Sequence, residues 1–269
     1  MTIGDTGRRL DVDVLLASVI KQPREFLYAH PEYTLTTRQA KKLLNYLHRR
    51  EQNEPVAYIT GHKEFYGLNF IVNRDVLIPR PDTELLVDTV VQYCGNVNQP
   101  IHTIADIGTG SGNIAIVLKK LLPTTRVLAT DISPAALRVL RRNARTHQVT
   151  IPSYCGNALA ALPQYFKHQL DMIVSNPPYL TGTEANHRQL QFEPRLALTA
   201  GRNSTKIIER ILQQAHYYLK PSGSIIFEIG YRQAMRVNRL CRHYFPKASV
   251  VVSKDLAGLD RVIVCRTSS

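Results

Sequence analysis

The sequence predicts an α/β fold with a mostly parallel seven-stranded sheet, one strand of it antiparallel, and a small helical domain ahead of it. Three observations lead there. From residue 100 onward, short apolar runs alternate with amphipathic ones, the pattern of a doubly wound sheet. The last two apolar runs are joined only by Lys254–Asp260, too short for a parallel crossover, so one of them runs antiparallel. The first 53 residues or so read as a run of short helices.

In chain order, Val12, Leu15, Leu16 and Val19 recur at helical spacing. Pro23 opens a short helix with Phe26 and Leu27, and Pro31 breaks it. Thr36 or Thr37 caps the next helix, which places Leu43, Leu44 and Leu47 on one side and Lys41, Lys42, Arg49 and Arg50 largely elsewhere. Residues 54–80 change character: Val56, Tyr58, Phe65, Tyr66, Phe70, Ile71 and Val72 are β-formers interrupted by Gly61 and Gly67, which reads as a hairpin or extended linker. The domain 81–269 then opens with a helix for which Asp82 is the expected N-cap. Strands are expected at Thr103–Ile107, Arg126–Thr130, Ser153–Cys155, Met172–Ser175, Ser224–Glu228, Ser249–Ser253 and Arg261–Cys265. Helices are expected at about 112–121, 134–146, 205–219 and 232–244.

Composition bounds the function. A chain of 269 residues, 44% of them hydrophobic, is ample for one large domain or a medium domain with a small one. No apolar run approaches membrane-spanning length, and the opening MTIGDTGRRLDVDVLL carries acidic residues inside its apolar stretch, unlike a signal peptide; a cytoplasmic location is expected. Cys94, Cys155, Cys241 and Cys265 lie far apart without a CxxC pair, so they read as reduced thiols. The nine histidines show no metal-binding spacing, and no metal site is expected. A net charge of +13 fits an acidic or nucleic-acid-associated partner, or equally a basic enzyme with solvated faces. Two arginine stripes at helical spacing (Arg138, Arg141, Arg142, Arg145 and Arg232, Arg236, Arg239, Arg242) carry the same two readings.

Two stretches carry chemistry. Asp106-Ile107-Gly108-Thr109-Gly110-Ser111-Gly112 is a strand end running into a glycine loop and a helix. Glycines at 108, 110 and 112 let the backbone turn tightly and approach a ligand. A dinucleotide fingerprint would need glycine where Asn113 stands, and no Lys-Ser/Thr pair marks a phosphate loop. Asp131 ends the next strand, where a carboxylate accepts ribose hydroxyls, and Gly156-Asn157-Ala158 follows the third strand, placed to meet an adenine ring. A nucleoside without pyrophosphate fits, and S-adenosylmethionine is such a ligand.

The second stretch is Ser175-Asn176-Pro177-Pro178-Tyr179. Two prolines force the chain out of its strand along one stiff, extended path. The side-chain oxygen of Asn176 and the carbonyl of Pro177 are two acceptors at a fixed spacing, matching the two hydrogens of a planar –NH2 group. Tyr179 offers a face against which that group stacks. The structural alternative is an ordinary Asn-Pro turn.

With these motifs in this order, the chain resembles a class I methyltransferase, Rossmann-like in fold, acting on a planar amino nitrogen. More closely it resembles the PrmC/HemK family, which methylates a glutamine side chain in peptide chain release factors. The likeness covers nearly the whole chain: HPEYTLT (His30–Thr36), EPVAYITGHKEFYG (Glu54–Gly67), LIPRPDTE (Leu77–Glu84), DIGTGSG (Asp106–Gly112), SNPPY (Ser175–Tyr179), FEPRLAL (Phe192–Leu198) and GLDRV (Gly258–Val262). It implies that Gly108, Thr109, Gly110, Ser111 and Gly112 hold the methionine end of S-adenosylmethionine, Asp131 its ribose and Asn157 its adenine. It further implies that Asn176 and Pro177 accept the glutamine amide hydrogens while Pro178 and Tyr179 wall the pocket, so that catalysis falls to Asn176, Pro177 and Tyr179. Release factors are then the partner, and the helical bundle 1–53 is a candidate for docking them. Glu193 and Arg195 are expected to pair within their loop, and Tyr217 and Tyr218 to pack. The alternatives are a nucleic-acid adenine methyltransferase, a ribosomal-protein glutamine methyltransferase, whose family differs at PRPDTE, and a cofactor-binding scaffold without turnover.

Overall fold

A computed structural model describes residues 5–97, 99–187, 190–199, 201 and 203–268. The chain divides into two compact units, Met1–His62 and Lys63–Ser269.

The first unit is helical: α1 (Asp5–Ile20), α2 (Arg24–Ala29), α3 (Thr37–Glu51) and α4 (Val56–Thr60). Leu15, Val19 and Ile20 of α1 are buried, as are Tyr58 and Ile59 of α4, whereas Val12 is exposed. Thr36 caps α3 through a capping box, its hydroxyl accepting from the Gln39 N–H and its own N–H donating to the Gln39 side chain at 2.9 Å. The expected apolar side of α3 is incomplete, because Leu44 is 66% exposed. Two of the basic residues on α3 turn inward instead. Arg49 forks onto Glu54 at 2.8 and 2.9 Å, and Arg50 reaches Asp11 of α1 at 2.7 Å. Val56 and Tyr58, β-formers by type, lie in α4. Pro55 precedes that helix and Gly61, in the left-handed conformation, closes it, so the caps outweigh the β-propensity of the side chains.

In the second unit, β1 (His62–Phe65) and β2 (Leu68–Ile71) form the expected hairpin. Tyr66 and Gly67 both have positive φ, which matches the right-handed twist of the two strands. A single 3-10 turn at Pro81–Thr83 leads into α5 (Glu84–Asn96). Then follow β3 (Thr103–Ile107), α6 (Asn113–Leu121), β4 (Arg126–Asp131), α7 (Pro134–Thr146), β5 (Ser153–Cys155), β6 (Leu170–Ser175), α8 (Arg195–Leu198), α9 (Lys206–Tyr218), β7 (Leu219–Glu228), α10 (Ala234–Tyr244), β8 (Ser249–Lys254) and β9 (Asp260–Arg266). The seven strands are ordered β5-β4-β3-β6-β7-β9-β8, all parallel except β9, which runs antiparallel to both neighbours. Alternation along each strand feeds two cores. Met172 and Val174 pack with Leu86, Ile116 and Leu140 on the side of α5, α6 and α7, while Ile173 packs with Ile211, Phe227 and Val237 on the side of α9 and α10. Tyr218 joins this second core, but Tyr217 on the same helix is 60% exposed, since adjacent helical positions face different ways. The arginines of α7 are exposed, as are Arg236, Arg239 and Arg242 on α10; Arg232 is exposed too but lies in the turn before α10, outside the helix expected to carry it.

Asp82 does not cap α5. It sits inside the 3-10 turn and pairs with Arg261 at 3.2 Å; Thr83 holds the N-cap position without a side-chain capping bond.

Asn143 ties the hairpin to α7 and to the glycine loop. It is fully buried on α7, and its carboxamide mimics a neighbouring strand: Oδ1 accepts from the Ile71 N–H at 2.8 Å, while Nδ2 donates to the carbonyls of Ile71 at 3.0 Å and Ser111 at 2.8 Å. Asn143→Ala leaves three backbone groups unpaired, two on β2 and one under the glycine loop. A loss of about 3 kcal/mol is expected from urea-denaturation midpoints, with the slope of the transition unchanged.

Candidate active site

The order of the sheet reverses between β3 and β6: β3, β4 and β5 succeed one another in one direction, and β6 and β7 in the other. That reversal opens a crevice at the carboxyl ends of the strands. The register Asp106↔Val174 puts the exits of β3 and β6 side by side. The Ser175 hydroxyl closes the pairing by donating to the Ile107 carbonyl at 2.6 Å. The glycine loop and the Asn-Pro-Pro-Tyr stretch, separate in the sequence, therefore leave the sheet as neighbours.

The glycine loop is held from below. Gly108 and Thr109 N–H groups donate to the Thr130 carbonyl at 2.9 and 3.0 Å. Gly108, Gly110 and Gly112 have φ of +74°, +55° and +82°. They serve two purposes. A Cβ on Gly112 would strike Leu140 at 2.9 Å, so this glycine lets α6 pack against α7. A Cβ on Gly108 or Gly110 would meet nothing within 4 Å, so there the backbone faces open space. The side chains of Thr109 and Ser111 are buried and turned inward, Thr109 donating to Asp106 at 2.6 Å and Ser111 to Asn113 at 3.0 Å. Only the backbone of these two residues is left to face a ligand.

Asp131 is brought to the loop directly: its Oδ2 accepts from the Gly110 N–H at 2.9 Å and its Oδ1 from the Ser133 N–H at 2.8 Å. Burial raises its pKa, against those donated bonds. Each carboxylate oxygen retains a second lone pair. The exit of β5 joins through the Gly156 N–H, which donates to the Asp131 carbonyl at 2.9 Å. Asn157 follows on the surface, with its Oδ1 taken by Arg210 at 3.1 Å. Ile132, beside Asp131, is 54% exposed, apolar surface at this rim that the sequence reading did not single out.

On the other side, Asn176 Nδ2 donates to the Thr83 hydroxyl at 3.0 Å. Among the described residues, nothing donates to Asn176 Oδ1 or to the Pro177 carbonyl. Pro177 is buried and Pro178 half-buried. Tyr179 reaches Glu228 Oε1 at 3.4 Å, and its carbonyl accepts from Gln233 at 3.3 Å. Burial, reinforced by Glu228, pushes the Tyr179 hydroxyl up to about 12, so it stays protonated.

The segment Arg80–Thr83 binds the motifs together. Arg80 pairs with Glu193, whose other oxygen accepts from the Ile78 N–H at 3.0 Å. Glu193 thus pairs across the fold and not with Arg195, because burial at 5% exposure demands the nearest cation. Asp82 meets Arg261, which is itself anchored on Asp255 at 2.9 Å. Thr83 meets Asn176. Thr83, Asp106, Glu228 and Arg261 all help build the site, and none was singled out as a site residue from the sequence. A signal existed for Thr83, Asp106 and Arg261, which lie within PRPDTE, DIGTGSG and GLDRV.

Fold and site together define a methyltransferase, and residues 81–192 match the family model described as the methyltransferase small domain. Residues 3–61 match the PrmC N-terminal domain. The chain is 40% identical over 259 residues to a release factor glutamine methyltransferase of Coxiella burnetii, covering 96% of this chain and 91% of that one. It is 38% identical to a protein of the same name from Koribacter versatilis, with coverage of 96% and 91%. A methyltransferase structure from Pyrococcus furiosus shares the fold at a TM-score of 0.55 and 15% identity, covering 84% of this chain and 99% of that one. The chain belongs to the release factor glutamine methyltransferase family.

Asp106, fully buried, has its pKa raised from 3.8 to about 7, chiefly by burial and also by Asp131, against the hydrogen bond from Thr109. A folded-state pKa above the unfolded value means that the fold favours the proton. The associated stability is present below about pH 4 and lost as pH rises through about 7. Asp106→Asn removes this titration. The unfolding free energy of the wild type should therefore fall relative to that of the variant across this window, as followed by urea denaturation.

Proposed function

We propose that this protein transfers a methyl group from S-adenosyl-L-methionine to the side-chain amide nitrogen of a glutamine in class I peptide chain release factors. The observation that carries the reading is the adjacency of two unlike strand exits, locked by the 2.6 Å bond from Ser175 to the Ile107 carbonyl. One exit suits a cofactor and the other a flat amide.

The residues of the first exit fit the cofactor. Gly108 and Gly110 expose left-handed backbone to open space, so the chain can lie close against a ligand. Asp131 puts an acidic side chain beside the loop, a setting for a cationic or hydroxyl-bearing ligand and not for a phosphate. In this reading Gly108, Thr109, Gly110, Ser111 and Gly112 hold the methionine end, chiefly by backbone. Asp131 takes the ribose, and Asn157 lies toward the adenine. S-adenosylmethionine supplies a methyl group on a cationic sulfur and leaves as S-adenosylhomocysteine.

At the second exit the work is orientation. Asn176 Oδ1 and the Pro177 carbonyl accept the two hydrogens of the glutamine –NH2 and so fix the plane of the amide. Pro178 and Tyr179 wall it, and the neutral Tyr179 hydroxyl adds no charge. Holding reactants in register is worth roughly 7–11 kcal/mol in favourable cases. The reading assigns residues 1–53 to docking the protein substrate, 54–80 to a hairpin linker and 81–269 to the methyl transfer. It places the enzyme in the cytoplasm, with no nucleic-acid requirement. Among the described residues no helix is long and apolar enough to cross a membrane.

The deciding experiment incubates the protein with labelled S-adenosylmethionine and a purified release factor, with DNA and ribosomal protein in parallel, and maps the modified residue. Label on a release factor glutamine is expected; label on DNA alone would replace this reading with the adenine one. Asn176→Ala should reduce kcat by about a hundredfold or more and leave S-adenosylhomocysteine affinity largely intact, as measured by calorimetry.

A further inference from the structure

Gln233 holds the N-cap position of α10, yet its side chain makes no capping bond there. The residue is buried, 8% exposed, and its carboxamide reaches three other segments. Oε1 accepts from the Gly230 N–H at 3.0 Å, just past the end of β7. That bond fixes the sense of the carboxamide, because a backbone N–H can meet only its oxygen. Nε2 therefore faces oxygens: the Tyr179 carbonyl at 3.3 Å, and the Ser204 hydroxyl and carbonyl at 2.9 and 3.4 Å. Nε2 carries two hydrogens, so one serves Ser204, ahead of α9, and the other serves Tyr179.

The bond to Tyr179 falls at the far end of the stiff exit from β6. The near end is pinned by the Ser175 hydroxyl on the Ile107 carbonyl. Pro177 and Pro178, between the two ends, have no N–H to offer. Among the described residues, Gln233 is the one side chain that bonds the backbone anywhere from Asn176 to Tyr179. Beyond it, the Leu180 N–H donates to the Leu198 carbonyl at 3.0 Å. The Tyr179 ring lies against the same corner: a Cβ on Gly230 would stand 3.4 Å from both Tyr179 Cδ2 and Gln233 Oε1.

We infer that Gln233 is a positioning residue that clasps the far end of the Asn-Pro-Pro-Tyr exit to the ends of β7 and of the loop before α9. A stiff segment fixed at one end can still pivot. Fixed at both, it keeps Asn176 Oδ1 and the Pro177 carbonyl at one place over the crevice and holds Tyr179 as its wall. Only a neutral carboxamide of this length can accept from Gly230 and donate to Tyr179 and Ser204 at once. The consequence for rate rests on the methyl-transfer reading; the clasp itself does not.

NMR of the full chain, with 13C on tyrosine carbonyls and 15N on leucine, reads the clasp directly. Only the Tyr46-Leu47, Tyr179-Leu180 and Tyr218-Leu219 bonds then give a carbonyl–amide signal, and that of Tyr179 is identified by its loss in Tyr179→Phe. In Gln233→Met, which keeps the length and loses the donors, the Tyr179 carbonyl signal should move upfield. Hydrogen exchange at the Leu180 N–H should quicken by about tenfold or more. The other two signals should stay in place, the Tyr218 carbonyl keeping its bond from the Gln169 N–H at 3.1 Å. Gln233→Leu replaces the methionine variant if that one loses its thermal transition. With a release factor as acceptor, kcat should fall by about tenfold or more, with S-adenosylhomocysteine Kd within about twofold, because the glycine loop is untouched. An unmoved Tyr179 signal, equal movement of all three signals, or an unchanged kcat would overturn the inference. A wild type that methylates no release factor would overturn the proposed substrate, and the Tyr179 signal would still decide the clasp.

Discussion

Parallel pairing of β3 with β6 is the constraint from which the site follows. Two strands whose ends lie 68 residues apart in the chain are zipped in register, and the Ser175 hydroxyl closes the last step onto the Ile107 carbonyl. At this place the winding of the sheet changes direction, so the helices that follow the two strands diverge and leave an opening. One exit brings flexible glycine backbone and the other stiff proline backbone. Their adjacency turns two ordinary loops into a place where a donor and a planar acceptor can meet.

A second layer keeps that opening in shape. The six residues from Pro79 to Glu84 lie outside the sheet, yet they reach two of its loops and the start of β9. Arg80 goes to Glu193, Asp82 to Arg261 and Thr83 to Asn176. Each link places a buried or half-buried polar group against a partner that satisfies it, and breaking one would strand the other. The carboxyls of Asp106 and Glu228, each lifted to about 7 chiefly by burial, are kept beneath the opening at a cost in intrinsic stability. Such groups concentrate at functional sites because burial strengthens whatever interaction they make.

Much of the architecture was legible residue by residue. Thr103–Ile107 and Ser153–Cys155 are strands with the expected ends, and the short joint before β9 forced an antiparallel strand. A threonine cap was expected at Thr36 or Thr37, and Thr36 is the one that caps α3. Misreadings arose where a local preference was overruled. Val56 and Tyr58 are β-formers by type, but Pro55 and Gly61 bracket them into a helical turn. Asp82 stands where an N-cap belongs, but the cation at Arg261 draws it away. Glu193 and Arg195 are neighbours in the chain, yet burial at Glu193 selects Arg80.

By itself the sequence determined the alternation of strands and helices, the left-handed glycine turn and the stiff Asn-Pro-Pro-Tyr exit. Those features depend on φ preferences, side-chain period and loop length, all of which act over a few residues. Only the tertiary structure decided which end of Asn176 is bound by Thr83, that Asn143 impersonates a strand, and that Thr109 and Ser111 turn away from the crevice. A hydroxyl or a carboxamide is indifferent to its partner until water is excluded. Which groups lose water together is set by packing between residues 72 and 93 positions apart, as with Asn143 on Ile71 and Asn176 on Thr83.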